Sequence, residues 1–210
     1  MHVRLPAVSA FILSVTLAVM VLSAGCISSS PPAPLQPSSE LSQQEPSTRL
    51  PVQTAGAQGS LALSVDLLSP GSVLPDIYTC KGASTSPQVS WSGIPPGSKS
   101  LVLILEDPDA PNGIYTHWLV YNIPPQSGEI SEGQTNAKVL SNGAQQGESS
   151  NGFRGYYPPC PPVGSTHRYI FRLYALDIYL ALPTADRAAI DRAMTGHTFA
   201  KTEFTTIFRR

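Results

Sequence analysis

The sequence predicts a mainly β domain with one helix near its C-terminus, and three observations carry that expectation. Charged residues make up only 13% of the 210-residue chain, while Pro (21) and Gly (16) are abundant, a balance that favours turns over helices. Beyond Leu61 the apolar residues form short runs or alternate with polar ones, the period of strands. Only the stretch between Thr184 and Gly196 combines a helical apolar face with start and stop signals.

Residues 1–25 stand apart. Arg4 precedes the apolar run Ala7 to Leu22, which ends in Leu22-Ser23-Ala24-Gly25-Cys26. A basic start, a short apolar stretch and small residues before a cleavage point read as an export signal, and the run is short of the ~20 residues that span a bilayer. The ending resembles the lipobox of prokaryotic lipoproteins, which implies cleavage before Cys26 and a diacylglycerol on its sulfur, enough for stable anchoring. An uncleaved anchor helix is the alternative. Either way the rest of the chain is expected outside the cytoplasm, held to the extracytoplasmic face of the cell membrane. Removing residues 1–25 takes away Arg4 and no acid, leaving 12 Lys+Arg against 14 Asp+Glu, a net of −2 where the whole chain has −1. Neither value offers the basic footprint of a nucleic-acid partner.

Residues 26–60 hold Cys26 and then Ser, Pro and Gln with no aromatic residue. Such a segment buries too little apolar surface to offset chain entropy and reads as a disordered tether, with a reach of about 30 Å. The domain is expected over 61–210. Leu61, Leu63, Val65 and Leu67 share one face of a first strand, and Gln88 to Ser92 forms a second around Trp91. Leu101 to Leu105 is apolar throughout, as in a strand covered on both faces. Asn112-Gly113 is a turn pair, and His117 to Tyr121 resumes a strand. Ser127 to Ser150 is polar without a clear period and reads as a long loop. Arg168 to Asp177 is an aromatic-rich strand. In the helix, Thr184 is the expected N-cap, with Ala188, Ala189, Ile190 and Met194 on the apolar face.

With Cys26 assigned to lipid, Cys80 and Cys160 remain. An even pair in an oxidising compartment points to a disulfide; two separate buried thiols are the alternative.

Two polar clusters could do chemistry. Glu106-Asp107-Pro108-Asp109 sets carboxylates where an apolar strand stops, and His117 follows on the next strand. Between Asn151 and Tyr169, Gly152 and Gly155 bracket Arg154, and Pro158-Pro159-Cys160-Pro161-Pro162 stiffens the chain before His167 and Tyr169. If the strands lie side by side, acids, histidines and tyrosines converge in a rigid-walled concavity suited to a small anion or a phosphorylated head group. The histidines are expected to be cationic beside the carboxylates, and the carboxylates to offer a partner for an amine. Against this, Asp107 and Asp109 could simply cap a turn, Tyr156 and Tyr157 pack a loop, and Arg154 sit solvated.

Several motifs occur together and in order: Thr79-Cys80-Lys81-Gly82, Ser86-Pro87, Asp107-Pro108-Asp109-Ala110-Pro111, His117-Trp118, Gly155-Tyr156, Pro159-Cys160-Pro161-Pro162, His167-Arg168-Tyr169 and Met194-Thr195-Gly196-His197. From about Leu61 to Arg210 the chain resembles the phosphatidylethanolamine-binding protein family, most closely its prokaryotic Raf-kinase-inhibitor-like branch. The resemblance implies a Greek-key β-sandwich of two antiparallel sheets with peripheral helices and an anion pocket at one end. It carries the pocket aspartate onto Asp107, the pocket histidines onto His117 and His167, and the nearby tyrosines onto Tyr156 and Tyr169. Asp109 and Pro111 shape the same loop. Pro158 departs from the pattern, which has Gly at that place; Pro removes an N–H and fixes φ.

The leading expectation is therefore a non-catalytic, cofactor-free binding module for a phosphate-containing small molecule or phospholipid head group. A second is an inhibitor or interaction protein whose loops bind a secreted hydrolase. A third is a metal-dependent hydrolase with Asp107, Asp109, His117 and His167 as ligands, though no His-Glu-x-x-His occurs. No G-x-S-x-G elbow supports a serine hydrolase, and the prolines flanking Cys160 argue against a nucleophile there.

Overall fold

The structure, a computed structural model, describes residues 60–210; the expected export signal, Cys26 and all of the expected tether but Ser60 lie outside the described residues. Eight strands and one helix follow in the order β1 (Ala62–Val65), β2 (Val89–Ser92), β3 (Ser100–Asp107), β4 (Tyr115–Ile123), β5 (Glu129–Ile130), β6 (Gln145–Gln146), β7 (Thr166–Leu176), α1 (Arg187–Met194) and β8 (Thr198–Arg209). They form two antiparallel sheets, β1-β2-β5 and β6-β4-β3-β7-β8. After β4 the chain makes a long excursion and returns as β7 on the other side of β3, which leaves β3 at the centre of the larger sheet.

All eight residues of β3 are buried, as its unbroken apolar run requires. Alternation divides them. Leu101, Leu103 and Leu105 join Trp118, Val120, Phe171, Leu173, Phe204 and Phe208 in the core facing the smaller sheet. Val102 and Ile104 face the other way and pack with Leu119, Leu176, Leu180, Ile190 and Met194 under α1. The buried Glu106 lies on that outer side and accepts hydrogen bonds from Arg172 of β7, at 2.6 Å, and from Arg187 of α1. One carboxylate thus clamps the helix to the sheet. Burial alone would raise the pKa of Glu106, but the two guanidiniums outweigh it and hold the carboxyl below its ordinary range.

Several boundaries differ from the sequence expectations for local reasons. β1 stops at Val65 because Asp66 takes a positive φ of 44°, and Leu67 is left 95% exposed. α1 begins at Arg187: Asp186, not Thr184, is the N-cap, its carboxylate accepting from the Ala189 N–H at 2.8 Å. The expected loop Ser127 to Ser150 contains β5 and β6, whose two residues each are too few to show a period. β8, the longest strand, has no counterpart in the sequence expectations. Its Lys, Glu and Thr residues lie largely at the surface, while Phe204, Thr206 and Phe208 turn inward.

Candidate functional site

The site lies where β3 ends and β4 and β7 begin. The β3–β4 register sets Asp107 opposite Tyr115, and His117 follows two residues on, on the same side of β4. β7 pairs with β3 up to Ile170, which places Tyr169 and His167 beside the end of β3. The residues on the inner side of three adjacent strands therefore converge, although they are as distant in sequence as Asp107 and His167.

His167 donates from Nδ1 to Asp107 Oδ2 at 2.7 Å, and the other carboxylate oxygen accepts from the Asp109 N–H at 2.8 Å. Both oxygens of Asp107 are engaged, and both groups of the pair are more than nine-tenths buried. His117 donates from Nδ1 to the Tyr157 carbonyl at 2.8 Å, while the Tyr157 N–H returns to the His117 carbonyl at 2.9 Å. Each imidazole is thus held through Nδ1, and neither Nε2 has a hydrogen-bond partner among the described residues. Tyr115 lies 4.8 Å from the His117 ring, centroid to centroid, and Tyr169 meets it edge-on at 5.4 Å. The Tyr169 hydroxyl is buried without a hydrogen-bond partner among the described residues; burial first, and then the nearby Asp107 charge, keep it firmly protonated.

These groups open into a cavity of about 430 Å³, lined by Asp107, Ala110, Pro111, Tyr115, His117, Tyr157, Pro158, Cys160, Pro161, Pro162 and His167. Its proline wall is tied to the segment between β1 and β2. Cys160 forms a disulfide with Cys80 across a sequence separation of 80, and the Cys80 N–H donates to the Pro159 carbonyl at 3.1 Å. The turn after Cys80 needs Gly82: a Cβ there would lie 2.3 Å from the Asp76 carbonyl oxygen.

Asp107, His117 and His167 are brought together, with Tyr169 behind them. Asp109 is turned away: its carboxylate takes three hydrogen bonds from Arg168, at 2.9, 2.9 and 2.7 Å. Those bonds hold its pKa down at about 2. Tyr156 does not line the cavity. It is buried against Trp118, with ring centroids 5.6 Å apart, and donates to the Tyr78 carbonyl at 2.5 Å. Tyr157 faces the cavity instead, because adjacent residues of extended chain point to opposite sides. Tyr115 was also missed, and its signal was available two residues before His117. The expectation of a cationic His117 is corrected: burial lowers its pKa, outweighing the Tyr157 carbonyl and Asp107, which raise it. A free carboxylate for an amine is likewise absent here, since Asp107 and Asp109 are both engaged within the protein. For the same reason Asp109 does not join the metal-ligand set considered from the sequence. Among the described residues no three His, Cys, Asp or Glu side chains group in a metal-binding arrangement.

The two antiparallel sheets, with a pocket at the end of the central strands, set the fold class. The chain belongs to the phosphatidylethanolamine-binding protein family, whose model, described as "PBP: Phosphatidylethanolamine-binding protein", matches residues 64–209. It is 46% identical over 138 residues to a UPF0098 protein of Methanothermobacter thermautotrophicus, covering 65% of this chain and 91% of the relative. It is 41% identical over 130 residues to a Mycobacterium tuberculosis protein named "Putative lipoprotein LppC", covering 61% of this chain and 62% of that one. Among solved structures, the Chlamydia trachomatis phosphatidylethanolamine-binding protein homolog CT736 superposes with a TM-score of 0.66 at 37% identity, over 72% of this chain and 98% of that one. Escherichia coli YbcL, titled a new member of the mammalian family, superposes with a TM-score of 0.67 at 28% identity, covering 72% and 99%. Nearly the whole of each solved chain falls within the matched region.

Proposed function

We propose that this protein is a non-catalytic binding module for a phosphate-bearing head group or small molecule, and that the cavity at Asp107, His117 and His167 is where it binds. The observation that carries this is the pair of imidazoles, each anchored through Nδ1 and each lining the cavity with no partner for Nε2 among the described residues. Fixed polar atoms in a small, largely apolar pocket orient a ligand at little entropic cost. A neutral His117 protonated on Nδ1 presents Nε2 as an acceptor, suited to a phosphate hydroxyl or an ammonium N–H. His167, when it carries a second proton, presents Nε2–H as a donor to a phosphate oxygen. The Tyr169 hydroxyl, buried and without a hydrogen-bond partner among the described residues, supports the reading from a ring that meets His117. Pro158 lines the pocket with no N–H to offer, so recognition rests on side chains.

The setting is part of the proposal. Residues 1–25 act as a lipoprotein signal, Cys26 carries the lipid, and 26–60 tether the domain to the extracytoplasmic face of the cell membrane. The lipobox-like Leu22-Ser23-Ala24-Gly25-Cys26 and the lipoprotein designation of the M. tuberculosis relative support this. Among the described residues no helix is long and apolar enough to cross a membrane. Titration calorimetry on residues 60–210 with inorganic phosphate and phosphoethanolamine, repeated on His117→Ala, tests the pocket. Binding that weakens about tenfold or more in the variant is expected. No heat with either ligand at millimolar concentration, from a folded protein, overturns the reading.

A further inference from the structure

A sheet edge with free backbone groups is a template for another strand unless something covers it. The smaller sheet ends in β1 and β5, of only four and two residues. In the larger sheet the edge beside β4 is taken by β6 and by the backbones of Ser150 and Tyr157. β8 forms the opposite edge, with twelve residues and β7 as its strand partner. Part of that edge is covered. Gly71 donates to the Thr205 carbonyl at 2.7 Å, Ile207 to the Ser72 carbonyl at 3.0 Å and Leu74 to the Ile207 carbonyl at 2.8 Å.

Those bonds show that Thr205 and Ile207 turn their backbone groups away from β7. Alternate residues of an antiparallel strand do so, and the register runs unbroken from Arg209 to Ala200, so Glu203 and Lys201 face outward as well. Neither has a backbone partner on that side among the described residues. β1 passes near β8 but makes no hydrogen bond to it. A hollow of about 250 Å³, lined by Arg172, Tyr174, Lys201, Thr202 and Glu203, lies on the same stretch and leaves room for a neighbour's side chains. Lys201 pairs with no carboxylate among the described residues, and the Glu203 side chain stays 55% exposed beside Arg172.

These two charges select what fits. A second β8 laid antiparallel on this edge bonds only where outward-facing residues oppose each other. Lys201 opposite Lys201, or Glu203 opposite Glu203, sets like charges face to face, which is unfavourable. A two-fold axis through Thr202 instead sets Lys201 of each copy opposite Glu203 of the other. We infer that two copies of this chain pair through the Lys201–Glu203 edge of β8, joining their larger sheets across a two-fold axis at Thr202. The ladder is short, roughly four hydrogen bonds. Thr205 is already engaged by Gly71, and Phe199 is the extra residue where the register with β7 shifts, so the strand bends there. The proposed lipid on Cys26 offsets a weak contact by confining the copies to one surface. The cavity lies toward the far end of β8, where Phe208 pairs with His167, so antiparallel pairing turns the two mouths away from each other.

The test is cross-linking of the full chain in membranes through a cysteine placed on the axis. Residues of a non-hydrogen-bonded pair lie about 4.5 Å apart at Cα, within reach of a disulfide. Thr202→Cys is expected to give a covalent dimer under mild oxidation, seen on a non-reducing gel and lost with reductant. Wild type and Asn112→Cys, exposed at the cavity end, should stay monomeric. Adding Lys201→Glu to Thr202→Cys should lower the dimer yield about tenfold, and adding Glu203→Lys as well should restore it, a rescue that misfolding would not allow. Absence of a dimer from Thr202→Cys overturns the inference. So does a yield that Lys201→Glu leaves unchanged, or one that the second reversal leaves low. Cross-linking of Thr202→Cys to a protein of another mass assigns the edge to a different strand and overturns the pairing of copies.

Discussion

His167 on β7 reaches 60 residues back to the Asp107 carboxylate at the end of β3 and binds it at 2.7 Å, with both groups buried. The pair exists only because β7, rather than any strand between, lies beside β3. It fixes the imidazole so that Nε2 is left for a ligand. Asp107→Asn removes the charge and loosens that anchor, and also weakens the turn held by the Asp109 N–H. Phosphoethanolamine affinity should fall about tenfold, as calorimetry would show, with far-ultraviolet circular dichroism unchanged.

Tyr169→Phe isolates the unpaired hydroxyl. An unsatisfied buried polar group costs roughly 1–3 kcal/mol, so its removal should leave the ligand-free protein as stable as before or up to ~1 kcal/mol more so. The same change should weaken ligand binding. A urea titration showing clear destabilisation would mean that the hydroxyl has a partner in the free protein.

The pH dependence of stability follows from His117. Its pKa is lowered on folding, chiefly by burial, so below about 6.5 the unfolded chain binds the proton more readily than the folded one. The sign is a loss of stability as pH falls below about 6.5, continuing until the folded pKa is passed. His117→Ala should flatten this part of the profile relative to wild type in urea titrations between pH 7.5 and 5. Glu106, also lowered, adds a second loss only below its ordinary range near 4.5.

Reduction of Cys80–Cys160 frees a loop of sequence separation 80, for which chain entropy alone gives about 4 kcal/mol. Equilibrium unfolding with and without reductant should show a loss of that order. Because Cys160 also lines the cavity, ligand affinity should fall at denaturant concentrations where the fold persists.

Glu106→Gln leaves Arg172 and Arg187 facing a neutral amide. Removing one member of a buried ion pair costs roughly 3–5 kcal/mol. Here the guanidiniums keep about a quarter of their surface in water, so about 2–3 kcal/mol is expected. The unfolding midpoint should drop while phosphoethanolamine binding, on the other side of the sheet, is kept.

The sequence by itself determined the β class, the central strand, the single helix and the proline-stiffened wall. Each of these is written in short-range pattern: apolar runs, capping residues and φ-fixing prolines. It also singled out Asp107, His117 and His167, because polar residues at the ends of apolar strands stand out locally. The tertiary structure alone decided what those residues do to one another. Asp107 and Asp109 look equivalent two positions apart, yet one meets His167 inside and the other meets Arg168 outside. Tyr156 and Tyr157 are neighbours, and strand geometry sends one into the core and the other to the cavity. The charge of His117 was misjudged from sequence because a nearby carboxylate suggests a cation, whereas desolvation depends on how completely other strands cover the ring. β8 was invisible because its polar outer face hid an alternation that only pairing with β7 makes plain. Local pattern selects elements, but orientation, burial and partnership are set by contacts between residues far apart in the chain.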